Sequence, residues 1–142
     1  MKKQIHLWLI VLALGCQNRE KFPSGVDPLL VGKWEQTAYE EVLSNGTKEW
    51  KTLDSLTGKP SFIVRSDGAL LSGDGKEYCC ISFEKYVVNG EVYFPKIKEP
   101  VPENEECLRT FCGICSEHKF QIEGDEMVWT YCGSRSRYRR LP

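Results

Sequence analysis

Paired turn residues punctuate this chain at Asn45-Gly46, Asp67-Gly68, Asn89-Gly90 and Gly124-Asp125. A tight reversal between two strands needs backbone at positive φ, which glycine and asparagine adopt at little steric cost. Such pairs between runs of β-branched and aromatic residues predict hairpins. "SFIVRSDGALL" reads as strand, turn, strand, and "EYCCISFEKYVVNGEVYF" as a second hairpin about Asn89-Gly90. A third is expected about Gly124-Asp125, before "MVWTYC". "GKWEQTAYEEV" alternates as a first strand and stops at "SNGT". "WKTLDSLTGKP" reads as a loop with a short helical turn near Leu53, and "GSRSRYRRLP" as a turn and a short last strand. "PKIKEPVPENEE" is a polar loop with three prolines. Reversals this frequent leave little room for helices. The expected class is all-β, a small antiparallel up-and-down barrel of about eight strands, whose closure removes exposed edges.

The start of the chain reads differently. "MKKQIHLWLIVLALGC" has a basic head at Lys2 and Lys3, then apolar residues from Leu7 to Leu14, then Gly15-Cys16. That run is shorter than the about 20 residues needed to span a bilayer as a helix. Small residues before the cysteine suit a peptidase cleft that admits little bulk. The stretch resembles a bacterial lipoprotein signal peptide. The resemblance implies that residues 1–15 are removed and that Cys16 carries the lipid. Acyl chains then supply the anchor, at about 0.8 kcal/mol per buried methylene. "QNREKFPSGVDP", residues 17–28, is a polar tether with two prolines, leaving 29–142 as one domain. By the same resemblance, Gln17 rather than an aspartate after Cys16 implies the outer membrane of a bacterial cell envelope over the inner.

Cysteine arithmetic agrees with that address. The chain has seven cysteines, and setting Cys16 aside leaves six: Cys79, Cys80, Cys107, Cys112, Cys115 and Cys132. An even set in an exported domain reads as disulfides. Loss of Lys2 and Lys3 takes the basic count from 19 to 17 against 20 acids, a net charge of about −3, which argues against a nucleic-acid partner. The four arginines of "SRSRYRR" are the one basic cluster, read as a solvated strand face or an anion- or headgroup-binding face.

"LVGKWEQ", with Gly32-Lys33-Trp34, resembles the Gly-x-Trp opening of lipocalins. With the lipobox, the polar tether, "FIVRSDG" and the closing "RYRRL", the whole is similar to small bacterial lipocalin-like lipoproteins. The resemblance implies that Trp34 plugs one barrel end under a late arginine, Arg139 or Arg140, a contact of about 0.5–2 kcal/mol. It also implies an interior that takes a small apolar or amphipathic ligand. Phe62, Val64, Phe83 and Trp129 are the candidate lining residues, with Tyr131 as a polar handle.

Adjacent cysteines in a strand face opposite ways. Cys79 would then look inward with Ile81 and Phe83, Cys80 outward with Tyr78 and Ser82, and the two would bond different partners. "CLRTFCGICSEH" supports three readings: structural disulfides; a redox-active Cys112-x-x-Cys115; or zinc held by Cys107, Cys112, Cys115 and His118. No helix is expected to follow Cys115 and lower a thiol pKa, and an exported compartment oxidises thiols. His118 otherwise reads as an exposed polar residue beside Glu117. No Ser-His-Asp arrangement or phosphate loop is visible, so neither catalysis nor a cofactor is expected. Two function classes remain: a ligand binder, and an interaction or inhibitor module that presents the Pro-rich loop 95–106 or the basic end to an envelope protein.

Overall fold

The computed structural model describes residues 25–54, 58–81, 84–113, 115 and 117–142. Cys16, the apolar run before it and Phe83 lie outside the described residues. The chain is all-β. The strands are β1 (Gly32–Val42), β2 (Lys48–Thr52), β3 (Ser61–Val64), β4 (Leu70–Ser72), β5 (Tyr86–Val88), β6 (Glu91–Tyr93), β7 (His118–Glu123), β8 (Glu126–Tyr131) and β9 (Ser134–Leu141). They form one sheet in the order β4-β3-β1-β9-β8-β7-β5-β6, with β2 paired to β1 off this path. The sheet curls into a half-barrel.

Three features depart from the expected up-and-down barrel. First, β1 serves two partners along its length: Gly32–Glu35 pair with β3 and Ala38–Val42 with β2. A bulge between Gln36 and Ala38, seen in the pairing with β9, marks the change. The segment read as a loop at Trp50 is therefore a strand. Second, β5 and β7 run parallel. Parallel neighbours need a long crossover, and 94–117, after the β5–β6 hairpin, supplies it. Third, the barrel is open: among the described residues β4 and β6 end the hydrogen-bonded path without pairing to each other.

A strap manages the open side. Residues 94–104 leave β6, pass the β3–β4 turn and run on toward Glu77. Gly68 in that turn has φ +90°, and a Cβ there would lie 2.6 Å from the Pro95 Cβ, so only glycine lets the strap approach. Buried Asp67 accepts from Arg65 Nε (2.9 Å) and Nη2 (2.7 Å), from the Ala69 amide (3.2 Å) and from the Lys98 amide of the strap (2.9 Å). The Arg65 guanidinium and these amides hold the Asp67 carboxyl well below the usual carboxylate range, against the opposing effect of burial. Arg65 in turn donates to the Glu99 and Pro100 carbonyls. Farther on, the Glu77 amide donates to the Pro102 carbonyl (2.8 Å).

Alternation fills the concave face. β7 reads His118, Phe120 and Ile122 inward, and β8 reads Met127 and Trp129 inward. Trp34, Phe62, Tyr86, Phe120, Trp129 and Tyr138 make a nearly continuous aromatic core, each under 9% exposed. Phe62 touches Trp129 and Tyr138 with centroids 5.1 and 4.9 Å apart.

Candidate functional site

The barrel-closing residues meet at one end, here the Trp34 end. Arg140 lies over the Trp34 ring, 4.2 Å from its centroid, and donates to the carbonyls of Val31 (2.7 Å) and Leu29. The Trp34 indole donates to the Leu30 carbonyl (2.9 Å). Arg139 points the other way and pairs with Glu35, as adjacent strand residues must. Gly32 has φ +136°, and a Cβ there would lie 2.9 Å from Arg140 Nη1. Residues 25–31 cross this end. The Gly25 amide reaches the Phe94 carbonyl, and Asp27 accepts from the Tyr93 hydroxyl.

The candidate lining residues do not frame a cavity. Phe62, Val64 and Trp129 are packed into the shared core. Tyr131 is committed elsewhere: its hydroxyl donates to the Cys80 carbonyl (2.7 Å) and stands 3.2 Å from that of Gly113. A broad open depression of about 970 Å³ lies against β7, β8 and β9, with Ile122, Met127 and Tyr138 beside Asn89, Gln121 and Arg137. The basic cluster is also engaged. Arg135 and Arg137 flank the Trp50 ring, at 5.2 and 4.2 Å, and Arg135 pairs with Glu40. The cluster is thus partly engaged within the sheet.

The cysteines gather at the opposite end, where Tyr131 closes β8. Cys79 bonds Cys107, Cys80 bonds Cys112, and Cys115 bonds Cys132 in the β8–β9 turn. Cys79 and Cys80 take different partners, though not by strand alternation. They sit in a turn, with Cys80 at φ +66°. Cys112 and Cys115 are not bonded to each other, so a Cys-x-x-Cys dithiol is not assembled. His118 is not exposed and does not join the cysteines. It is fully buried, stacked on Tyr131 at 4.7 Å and set edge-on to Tyr86. Beside it Glu117 pairs with Lys119 and Lys85, which hold its carboxyl below the ordinary value. Among the described residues no group of His, Cys, Asp or Glu is arranged to hold a metal ion.

The Pro-rich loop expected to reach outward is instead tied down as the strap. What projects is the short loop that follows it. Glu105–Arg109 form a 3₁₀ turn capped by Asn104, whose side chain accepts from the Glu106 amide. Leu108 is 88% exposed and Phe111 fully exposed. The reading of the sequence passed over both. The available signal was two large apolar residues inside "CLRTFC", a stretch too short to bury them. Comparison with family models, with curated proteins and with solved structures finds no match to this chain.

Proposed function

We propose that this chain is a lipid-anchored module of the bacterial cell envelope that acts by presenting a loop to another protein, and that it is not an enzyme. The observation that carries this reading is the pair Leu108 and Phe111, exposed on a loop closed at both ends by disulfides. Isolated exposed apolar residues are ordinary. Two on a loop pinned by covalent bonds offer apolar contact area at a reduced ordering cost. Polarity along the barrel supports it as well. The tether reaches the domain at the Trp34 end, beside the β7–β8 turn, where Arg140 donates its amide to the Asp125 carbonyl. The loop stands at the Tyr131 end, about 20 Å away along β8 and β9. An anchor on Cys16 would join the domain at the end away from the loop.

A lipocalin-like origin fits the Gly-x-Trp opening, the curled sheet and Arg140 over Trp34. Ligand binding is the second reading, favoured by the depression beside Ile122, Met127 and Tyr138. One experiment separates the two. A photocrosslinking residue replaces Phe111, and in a second variant Met127, in cells that carry the full chain. Protein adducts at position 111 and none at 127 are expected. Labelling by lipid or small molecules at 127, with no protein adduct at 111, would favour the second reading. The anchor is tested by Cys16→Ala, which should move the protein from the detergent phase to the aqueous phase.

A further inference from the structure

We propose that the loop Cys107–Cys112 is a substrate-like loop for the cleft of a serine endopeptidase, with Phe111 filling an aromatic specificity pocket and Phe111–Cys112 as the bond presented for cleavage. This rests on the presented-loop reading and narrows the partner to one chemical class.

Peptidase clefts take a substrate as an extended strand and read the side chain just before the scissile bond. The 3₁₀ turn covers Leu108 and Arg109, so those residues are not extended. Thr110 is, with φ −97° and ψ 124°, and no regular structure follows it through Gly113. Phe111 directly follows this extended residue and is fully exposed.

The loop is held from beneath on both sides of that bond. Thr110 donates its amide to the Cys107 carbonyl (3.2 Å) and its hydroxyl to the Glu106 carbonyl (2.9 Å). Asn104 Nδ2 donates to the Glu77 carbonyl (3.1 Å). On the far side the Tyr131 hydroxyl sits against Cys80 and Gly113. A loop fixed in its bound shape loses little entropy on docking. The upstream flank is charged and exposed, with Glu105 and Glu106 in the first turn and Arg109 nearer the bond.

The disulfides decide what cleavage would do. Cys107 and Cys112 bond to Cys79 and Cys80, which are themselves joined by a peptide bond. The loop is therefore one small covalent ring. Hydrolysis adds water across Phe111–Cys112 and leaves a Phe111 carboxylate and a Cys112 amine. Cleavage opens the ring, but both ends stay tethered through the Cys79–Cys107 and Cys80–Cys112 bonds, so their effective concentration remains high and the reverse step, which expels the water, competes with release. A ring of this kind occupies the peptidase without being consumed.

The test titrates the purified, disulfide-bonded chain against chymotrypsin and subtilisin, two unrelated serine endopeptidases that accept large aromatic residues, with trypsin as the control. The expected result is inhibition of at least one of the first two near equimolar ratio. Any nick should fall only after Phe111, with the chain held together until reduction. Phe111→Asp, at a fully exposed position, should weaken inhibition by about 100-fold while leaving the disulfides intact. Trypsin should be unaffected. No inhibition of chymotrypsin or subtilisin, rapid degradation through the loop, or inhibition indifferent to Phe111→Asp would overturn the proposal. The crosslink at position 111 keeps the two levels apart. Adducts only to proteins other than peptidases overturn this inference and spare the presented-loop reading, whereas the absence of any protein adduct sinks both.

Discussion

Replacing Asp67 by asparagine removes one charge and keeps the shape of the side chain. The site cannot accept the exchange. Both carboxylate oxygens face donors: Oδ1 faces Arg65 Nε and the Ala69 amide, Oδ2 faces Arg65 Nη2 and the Lys98 amide. An amide NH2 in either position meets N–H groups and can bond none of them. A hydrogen bond to a charged group contributes about 1.5–3 kcal/mol, and removing one partner of a buried pair costs about 3–5 kcal/mol. Arg65 keeps its contacts to the Glu99 and Pro100 carbonyls, so the expected loss is about 3 kcal/mol. Urea unfolding with disulfides intact measures it. Hydrogen exchange at the Lys98 and Glu99 amides should rise in parallel as the strap loosens. A loss below about 1 kcal/mol with unchanged exchange at both amides would refute the latch. The pH dependence has a definite sign. Asp67 titrates lower when folded than when unfolded, so its contribution is complete above the unfolded value of about 3.9. It fades as pH falls below that value, and the variant should lose this slope.

Arg140→Met should cost about 2 kcal/mol, from the Trp34 contact and the two carbonyls it satisfies, whereas Arg139→Met on the solvent side should cost under about 0.5 kcal/mol; equal losses in urea unfolding would contradict the plug. Gly68→Ala should destabilise by about 2 kcal/mol or more, through a positive φ and the Pro95 contact, against about 1 kcal/mol for Gly90→Ala, which has open space around it. Replacing Cys80 and Cys112 together by serine should cost about 2–4 kcal/mol and raise hydrogen exchange across 107–113 while leaving β7–β9 protected; protection lost evenly across the sheet would show that this bond does not act locally.

The parts legible in the sequence are those with local causes. Asp67-Gly68, Asn89-Gly90 and Gly124-Asp125 turn where glycine and its neighbour permit it, and Gly68, Gly90 and Gly124 all have positive φ. The choice between Arg139 and Arg140 needed the pairing register, which alternation alone does not supply. The parallel β5–β7 pair, the pairing of β1 with β3 and β9, and the strap depend on contacts far apart in sequence. Trp50 had a local signal, since it pairs with Glu40 across the Asn45-Gly46 turn, although the arginines over its ring, Arg135 and Arg137, lie far along the chain. Cys79 and Cys80 were read as strand from their neighbours, but two disulfides draw them into a turn. His118 had a usable signal: "HKFQIE" alternates, and places it with Phe120 and Ile122 on the buried face. The exposed pair Leu108 and Phe111 lies between two cysteines in a segment with no periodic pattern, which leaves no alternation to show that it is unburied.

The presented loop is framed by two disulfides that land on adjacent residues. Non-reducing peptide mapping of the mature protein, with fragmentation between Cys79 and Cys80, tests that frame directly. The predicted result is Cys79–Cys107, Cys80–Cys112 and Cys115–Cys132, with no thiol alkylated before reduction. A Cys112–Cys115 bond, or alkylatable thiols with bound zinc, would contradict it and make the cysteine cluster itself the functional site.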